Sequence, residues 1–282
     1  MNIISHRNLM YFGCCFVSAL LVLSNAPPLR AGQVIDRIRA SGELVLGTPG
    51  DLPPFSVSTT SGELIGFDIS FARELARNMG VNLQIKRFPF SELIEELLKG
   101  NVDIIMTGLS ITARRNMEIA FVGPYGSSGQ AFFGREELTR SLEDPLDLNQ
   151  DGLKIGVLKN TTADTTVRAL FPKVTPVYSE SLDQALIMVL NGEVDGLISD
   201  YPYCKVSQYR YKEEGLRVFE KILSFEQLGI GVPPDDFLFI NLLQNYINMM
   251  AGSGAIQTMQ EYWFKNSDWI EQLPDLRILK NF

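Results

Sequence analysis

The sequence predicts an α/β protein of two lobes, each a mainly parallel sheet flanked by helices, with the chain crossing between lobes twice. Three observations lead there. Strand-like and helix-like segments alternate from residue 43 onward, the pattern of layered α/β architecture. The chain also echoes itself: "SGELVLGTPGD" (41–51) returns as "DGLKIGVLKNT" (151–161), and "LLKGNVDIIMTG" (97–108) as "VLNGEVDGLISD" (189–200). Finally, the roughly 250 residues after position 31 are many for one core and comfortable for two.

Glu43 to Gly47 reads as a short strand, and Pro53-Pro54 forces an extended or turning segment after it. Ser61-Gly62 suits a hairpin turn. A helix over 67–79 follows, with Asp68 as its expected cap and Ile69, Ala72, Leu75, Ala76 and Met79 on one face. Gly80 ends it. Next come a strand over 81–87, a helix over 91–99 and a strand over 102–106. The lobes are expected to meet near Gly126 to Phe133, and the acidic stretch from Arg135 to Asp151, with Pro145, leads into the second lobe. Past Asp200 a helix runs through Tyr209, with strands near 216–219 and 229–232. "PPDD" opens a helix expected from Asp235 to Met250, Gly252-Ser253-Gly254 breaks it, and a last helix carries Trp263. This tail is too apolar to stand alone, so it should return to the first lobe. The expected division is a leader over 1–31, a first lobe over 32–127 and 223–282, and a second over 128–222.

The leader reads as a secretory signal: Arg7 precedes an apolar run from Leu9 to Leu23, with small residues at Ala26 and Ala31. The run is short for a membrane span, which takes about 18 residues or more. Removing residues 1–31 takes away Arg7, Arg30 and no acid, moving the net charge from −8 to −10. Such a chain repels nucleic acid and anionic lipid. The only histidine, His6, leaves too, so no Ser-His-Asp, Cys-His or His-bearing metal site is possible. Of three cysteines Cys204 alone remains, without a partner for a disulfide, and is read as a packed small side chain. No metal or cofactor is expected.

Ligands of open α/β sheets sit outside the carboxyl ends of strands. Three polar groups fall at such ends: Thr107 to Arg115, Asn160 to Thr162, and Asp200. The first two also open helices, whose free N–H groups and dipole favour an anion. Arg115 adds a planar fork suited to a carboxylate. Asp200 is the complementary charge, so the set could hold a zwitterion between apolar walls from Phe55 and Phe90. Each residue also has a plain structural reading. Ser110 or Thr112 caps a helix, Arg115 is solvated or paired at the surface, Asp200 is a turn acid, and the two phenylalanines are core.

The stretches "LPPF", "GELIGFDISFARELARNMGV" and "GNVDIIMTGLSITARRNMEIAFVGPY" resemble the family 3 extracellular solute-binding proteins that serve amino-acid ABC transporters. "KIGVLKNTTADT", "GEVDGLISDYP" and "EQLGIGVPPDD" extend the resemblance over essentially the whole mature chain. It implies a two-lobed type II periplasmic-binding fold that closes on an amino acid, as a periplasmic monomer partnered by a membrane permease. By position, Arg115 would clamp the α-carboxylate, helped by the backbone or hydroxyls of Ser110 and Thr162 in the Thr161-Thr162 pair. Gly108 would offer its carbonyl, and Asp200 its carboxylate, to the α-ammonium. Phe90 matches a family aromatic, and Phe55 closes the "PPF" turn beside the cleft. There are departures. Leu52 replaces a frequent tyrosine, Asn160 a glycine, and Pro49 stands where binders of basic amino acids often place an aspartate, which argues against such ligands. The ending "YWFKNSDWIEQLPD" runs past the shorter family members.

Two rivals share the fold. Exported dehydratases acting on prephenate-like or arogenate-like acids need a general acid in the cleft. Their glutamate after the Thr-bearing turn falls here on Ala163, with Asp164 next, so an Asp164 directed into the cleft would favour the enzyme. A stand-alone ligand sensor is the third reading.

Overall fold

The computed structural model describes residues 32–279, so the expected signal segment lies outside the described residues. Two five-stranded mixed sheets carry the two lobes. In the first, β1 (Glu43–Thr48) pairs in parallel with β5 (Asn82–Arg87) and β6 (Ile104–Ile105). Antiparallel β13 (Glu226–Val232) and β7 (Ala120–Ser128) complete it. The second repeats the plan. Here β9 (Lys154–Leu158) pairs in parallel with β10 (Thr175–Ser179) and β11 (Gly196–Asp200), and antiparallel β8 (Gln130–Arg135) and β12 (Leu216–Val218) follow. Only the first three strands of each sheet are parallel. The fourth, β13 or β8, arrives from the other lobe and so runs the opposite way. A small sheet of β2 (Asp51–Leu52), β3 (Ser56–Ser58) and β4 (Leu64–Ile65) holds the expected hairpin.

The internal echo has a structural cause. Asp103 Oδ2 accepts the N–H of Val45 on β1 at 2.8 Å, and Asp103 N donates to the Val45 carbonyl at 2.8 Å. Asp195 makes the same pair with Lys154 on β9, at 2.8 and 2.9 Å. In each lobe the Val-Asp step satisfies backbone groups at the start of a central strand, as burial demands. The repeated letters encode one device used twice.

Helix α2 (Phe67–Met79) lies where expected, and Ile69, Ala72, Leu75 and Ala76 are buried. Its cap is Gly66, not Asp68. The Asp68 carboxylate turns inward instead and accepts the Gly108 N–H at 2.6 Å, and burial raises its pKa to about 7. The aromatic Phe71, also fully buried, meets Tyr246 edge-on at 5.6 Å and Tyr125 at 5.9 Å. Cys204 is free and fully buried, and burial pushes its thiol far up. Among the described residues no helix is long and apolar enough to cross a membrane.

The chain leaves the first sheet at Ser128 and returns to it at Glu226. The two connectors touch. Gln130 N donates to Ser224 Oγ at 2.9 Å and Leu223 N to the Gln130 carbonyl at 2.7 Å. A β-carbon on Gly129 would stand 2.1 Å from the Ser224 carbonyl oxygen, so the contact requires glycine.

The C-terminal part covers the first lobe as expected, through α9 (Phe237–Gly252) and α10 (Ala255–Gln260). Asp236, not Asp235, opens α9. Its Oδ1 accepts the Phe239 N–H at 2.9 Å, and its Oδ2 accepts Val34 N at 2.8 Å and Ile35 N at 3.2 Å. One buried carboxylate thus caps both α9 and α1 (Gln33–Ser41), the first and last long helices of the lobe. Trp263 and Trp269 pack at 5.4 Å, with Trp263 Nε1 donating to Ser70 Oγ on α2 at 3.1 Å. The extension then crosses to the second lobe: the Gln272 carbonyl accepts Thr60 N at 2.9 Å, and Leu276 N donates to Tyr211 Oη at 3.2 Å. Asp236→Ala strips both caps and should cost about 2–4 kcal/mol by urea unfolding; a loss below about 0.5 kcal/mol would mean the two helix starts are held by other contacts.

Candidate ligand-binding site

The carboxyl ends of β1 and β6 face those of β9 and β11, and a cavity lies between them. Phe90, Gly108, Ser110 and Arg115 line it from the first lobe, and Thr161, Thr162 and Asp200 from the second. Phe55 does not reach it. Its ring is 1% exposed, meets Phe264 edge-on at 5.3 Å and lies beneath Gly108, whose β-carbon would come within 3.0 Å of it. Gly108 also has φ +58°. Phe55 is therefore a core support that demands glycine above it, and Leu52 takes the wall position.

Arg115 reaches the cavity because β6 gives way at once to the single-turn α4 (Ala113–Asn116). Thr112 caps that turn, its Oγ1 accepting Arg115 N at 3.2 Å. The guanidinium is 9% exposed, donates to the Ser110 carbonyl at 3.0 Å and stands 5.3 Å over the Phe90 ring. No carboxylate lies within 4 Å of it among the described residues. Burial lowers its pKa, opposed by the more distant charges of Glu226 and Asp200. A fork of five donors is thus held in place with most of its valence unspent. Arg114, by contrast, points to solvent.

Asp200 ends β11 and begins α8 (Tyr201–Arg210). Its Oδ1 accepts the Ser128 hydroxyl at 3.0 Å. Burial first, then the Glu226 charge, raises it to about 7, against the pull of Ser128 and Arg115.

Glu226, at the start of β13, went unnoticed in the sequence. Its Oε2 accepts the Ser110 hydroxyl from one lobe and the Thr162 hydroxyl, at 2.9 Å, from the other. Its Oε1 accepts Gln130 Nε2 at 3.1 Å and Ser224 Oγ at 2.8 Å. A hydroxyl has one proton, so the Ser110 and Thr162 hydroxyls have none left for a ligand carboxylate. Of the two ways they were expected to help, only the backbone N–H remains in this arrangement. Thr107, at the start of the first expected polar group, lines the cavity, and Asp51 and Gln130 line it unforeseen. Nothing short-range marks these two: each is brought in by the closing of one lobe on the other.

Asp164 does not enter this cavity. It is fully buried in the first turn of α6 (Thr162–Leu170), paired with Arg168, and accepts Asn160 N and Tyr178 Oη at 3.2 Å each. Among the described residues no group of three His, Cys, Asp or Glu could hold a metal ion.

The arrangement suits a small zwitterion, and comparison with known proteins agrees in kind. ArtJ of Chlamydia trachomatis, named "Probable ABC transporter arginine-binding protein", is 38% identical over 80% of this chain and 88% of its own. The cyclohexadienyl dehydratase of Pseudomonas aeruginosa is 23% identical over 88% of this chain and 92% of its own. An ABC-transporter binding component from Wolinella succinogenes, solved with lysine, superposes with a TM-score of 0.78 at 30% identity, covering 82% of this chain and 99% of that one. The family model of the bacterial extracellular solute-binding proteins, family 3, matches residues 44–266. With that match spanning both sheets and every residue that lines the cavity, this chain belongs to the bacterial extracellular solute-binding proteins, family 3.

Proposed function

We propose that the protein captures an amino acid between its lobes in the periplasm, as a monomer, and presents the closed form to an ABC permease. The lobes divide as residues 32–127 with 223–282 and 128–222, after a cleaved leader over 1–31. The observation that carries this reading is the buried Arg115 guanidinium, unpaired and sharing one cavity with Asp200. The α-carboxylate would take Arg115 and the backbone at Ser110 and Thr162, and the α-ammonium would take Asp200 and the Gly108 carbonyl. Phe90 would stack behind the carboxylate site. The curated and structural relatives that bind arginine or lysine support the class of ligand. The dehydratase reading is weaker because Asp164, the acid nearest to the required position, is spent on Arg168, Tyr178 and Asn160 outside the cavity.

A thermal-shift screen of refolded, ligand-stripped protein against the amino acids, small dicarboxylates and prephenate tests the proposal. Ligand at 100 times its Kd adds about 2.7 kcal/mol, so one or a few amino acids should raise the Tm. A response to prephenate alone would move the reading to the enzyme. Arg115→Ala should lose about 2–5 kcal/mol of binding by calorimetry, since it removes one member of a buried charged pair; Arg114→Ala should change little, and equal losses would refute the clamp.

Binding should also depend on pH. Asp200 is raised to about 7 by burial and the Glu226 charge, and holding an ammonium requires its charged form. Affinity should therefore fall as pH drops through 7, by up to about tenfold per unit for one linked proton, and level off above it. Its effect on the empty protein has the opposite sign: a carboxyl whose folded pKa is raised contributes stability at low pH that is lost as pH rises through 7. Asp200→Asn should flatten the affinity profile between pH 5.5 and 7.5, and an unchanged slope would place the titrating group elsewhere.

A further inference from the structure

We propose that Asp51 receives a second cation on the ligand, so that the preferred amino acid carries a guanidinium or ammonium at the end of its side chain. This rests on the reading of the cavity as an amino-acid site and names the class of amino acid.

Asp51 is 8% exposed on β2 and lines the cavity. Its Oδ2 accepts the N–H of Leu182, the first residue of α7 (Leu182–Asn191) in the opposite lobe, at 2.9 Å. Its Oδ1 is buried with no hydrogen-bond partner. No cation lies within 4 Å of either oxygen among the described residues. Arg87, the basic residue whose charge reaches Asp51, is exposed and gives its Nε to the Pro49 carbonyl at 3.1 Å. Burying an unmatched carboxylate is costly unless something completes it.

The amide of Gln130 in the same wall also presents an unmet acceptor. Gln130 is 1% exposed, and its Nε2 donates to Glu226 Oε1 and Thr162 Oγ1 at 3.1 Å each. An ionised carboxylate only accepts, so Glu226 fixes which way the amide points. Gln130 Oε1 is then an acceptor without a donor, and Thr107 Oγ1 is buried and unpartnered as well. A simple zwitterion brings three N–H donors, and Asp200 and the Gly108 carbonyl are already set to take some of them. The free Asp51 oxygen remains, and it calls for a ligand with a donor beyond its α-ammonium.

Charge points the same way. The cavity wall holds Asp51 and Asp200 against Arg115 alone. Asp183, beside Asp51 on α7, is raised to about 6 by burial and then by the Asp51 charge. Arg87 acts on Asp51, and Arg210 and Arg87 on Asp183, only from beyond ion-pair distance; a zwitterion adds no net charge there, whereas a distal cation would pair directly with Asp51. Pro49 had argued against a basic ligand. The carboxylate instead arrives two residues later, where the Asp51–Leu52 strand turns it under the opposing lobe.

The test is calorimetric titration of the full mature protein with arginine, lysine and citrulline, which has nearly the shape of arginine with a neutral end. The wild type should bind arginine or lysine at least about 30-fold tighter than citrulline. Asp51→Asn, checked for folding by circular dichroism, should lose most of that preference and retain binding of the neutral analogue. Citrulline binding as tightly as arginine in the wild type overturns the proposal without any variant. An arginine preference unchanged in Asp51→Asn overturns the role of Asp51 while Arg115→Ala still reports on the carboxylate clamp. Binding of no amino acid at all overturns the underlying reading, and this one with it.

Discussion

A guanidinium buried without a counter-charge organises this molecule. Arg115 is kept from solvent by the Phe90 ring, tied to the Ser110 carbonyl and aimed by a one-turn helix capped by Thr112. Removing a guanidinium from water is expensive when no partner is supplied. The first lobe meets that cost through its folding, with Asp68 holding the Gly108 turn and Phe55 supporting it from below. A ligand carboxylate held as proposed would meet a preformed site and need little further ordering of it.

The second lobe contributes through closure. Two carboxylates bridge the lobes: Glu226 takes hydroxyls from Ser110 and Thr162, and Asp51 takes the first N–H of α7. These bonds favour the closed form but leave Asp51 and Gln130 each with an unpartnered oxygen and Arg115 without a carboxylate within 4 Å among the described residues. A ligand that completes them binds the closed form better than the open one, and that difference is all that can shift the hinge equilibrium. The C-terminal extension adds a further tie, from Thr60 in the first lobe to Tyr211 in the second.

Much of this was legible in the sequence where function follows local chemistry. Strand ends that open helices are contiguous in the chain, so Ser110, Arg115, Thr161, Thr162 and Asp200 could be read as cavity residues before any fold was known. The paired Val-Asp steps were visible because each lobe solves the same backbone problem with the same letters. Phe55 was misplaced because an aromatic beside prolines looks alike as wall or as core; only the direction of its ring decides, and that depends on Phe264 more than two hundred residues away. Asp68 was misread for a similar reason, since its partner Gly108 is a tertiary neighbour. Glu226, Gln130 and Asp51 carry no short-range signature at all. They gain meaning only once the crossover strands bring one lobe over the other.

The most direct measurement is a crystal structure of the mature protein with the amino acid that binds it most tightly. The account expects the α-carboxylate within about 2.7–3.2 Å of the Arg115 guanidinium, the α-ammonium on Asp200, and both lobes in contact with one ligand. A carboxylate placed away from Arg115, or a ligand held by one lobe alone, would contradict it.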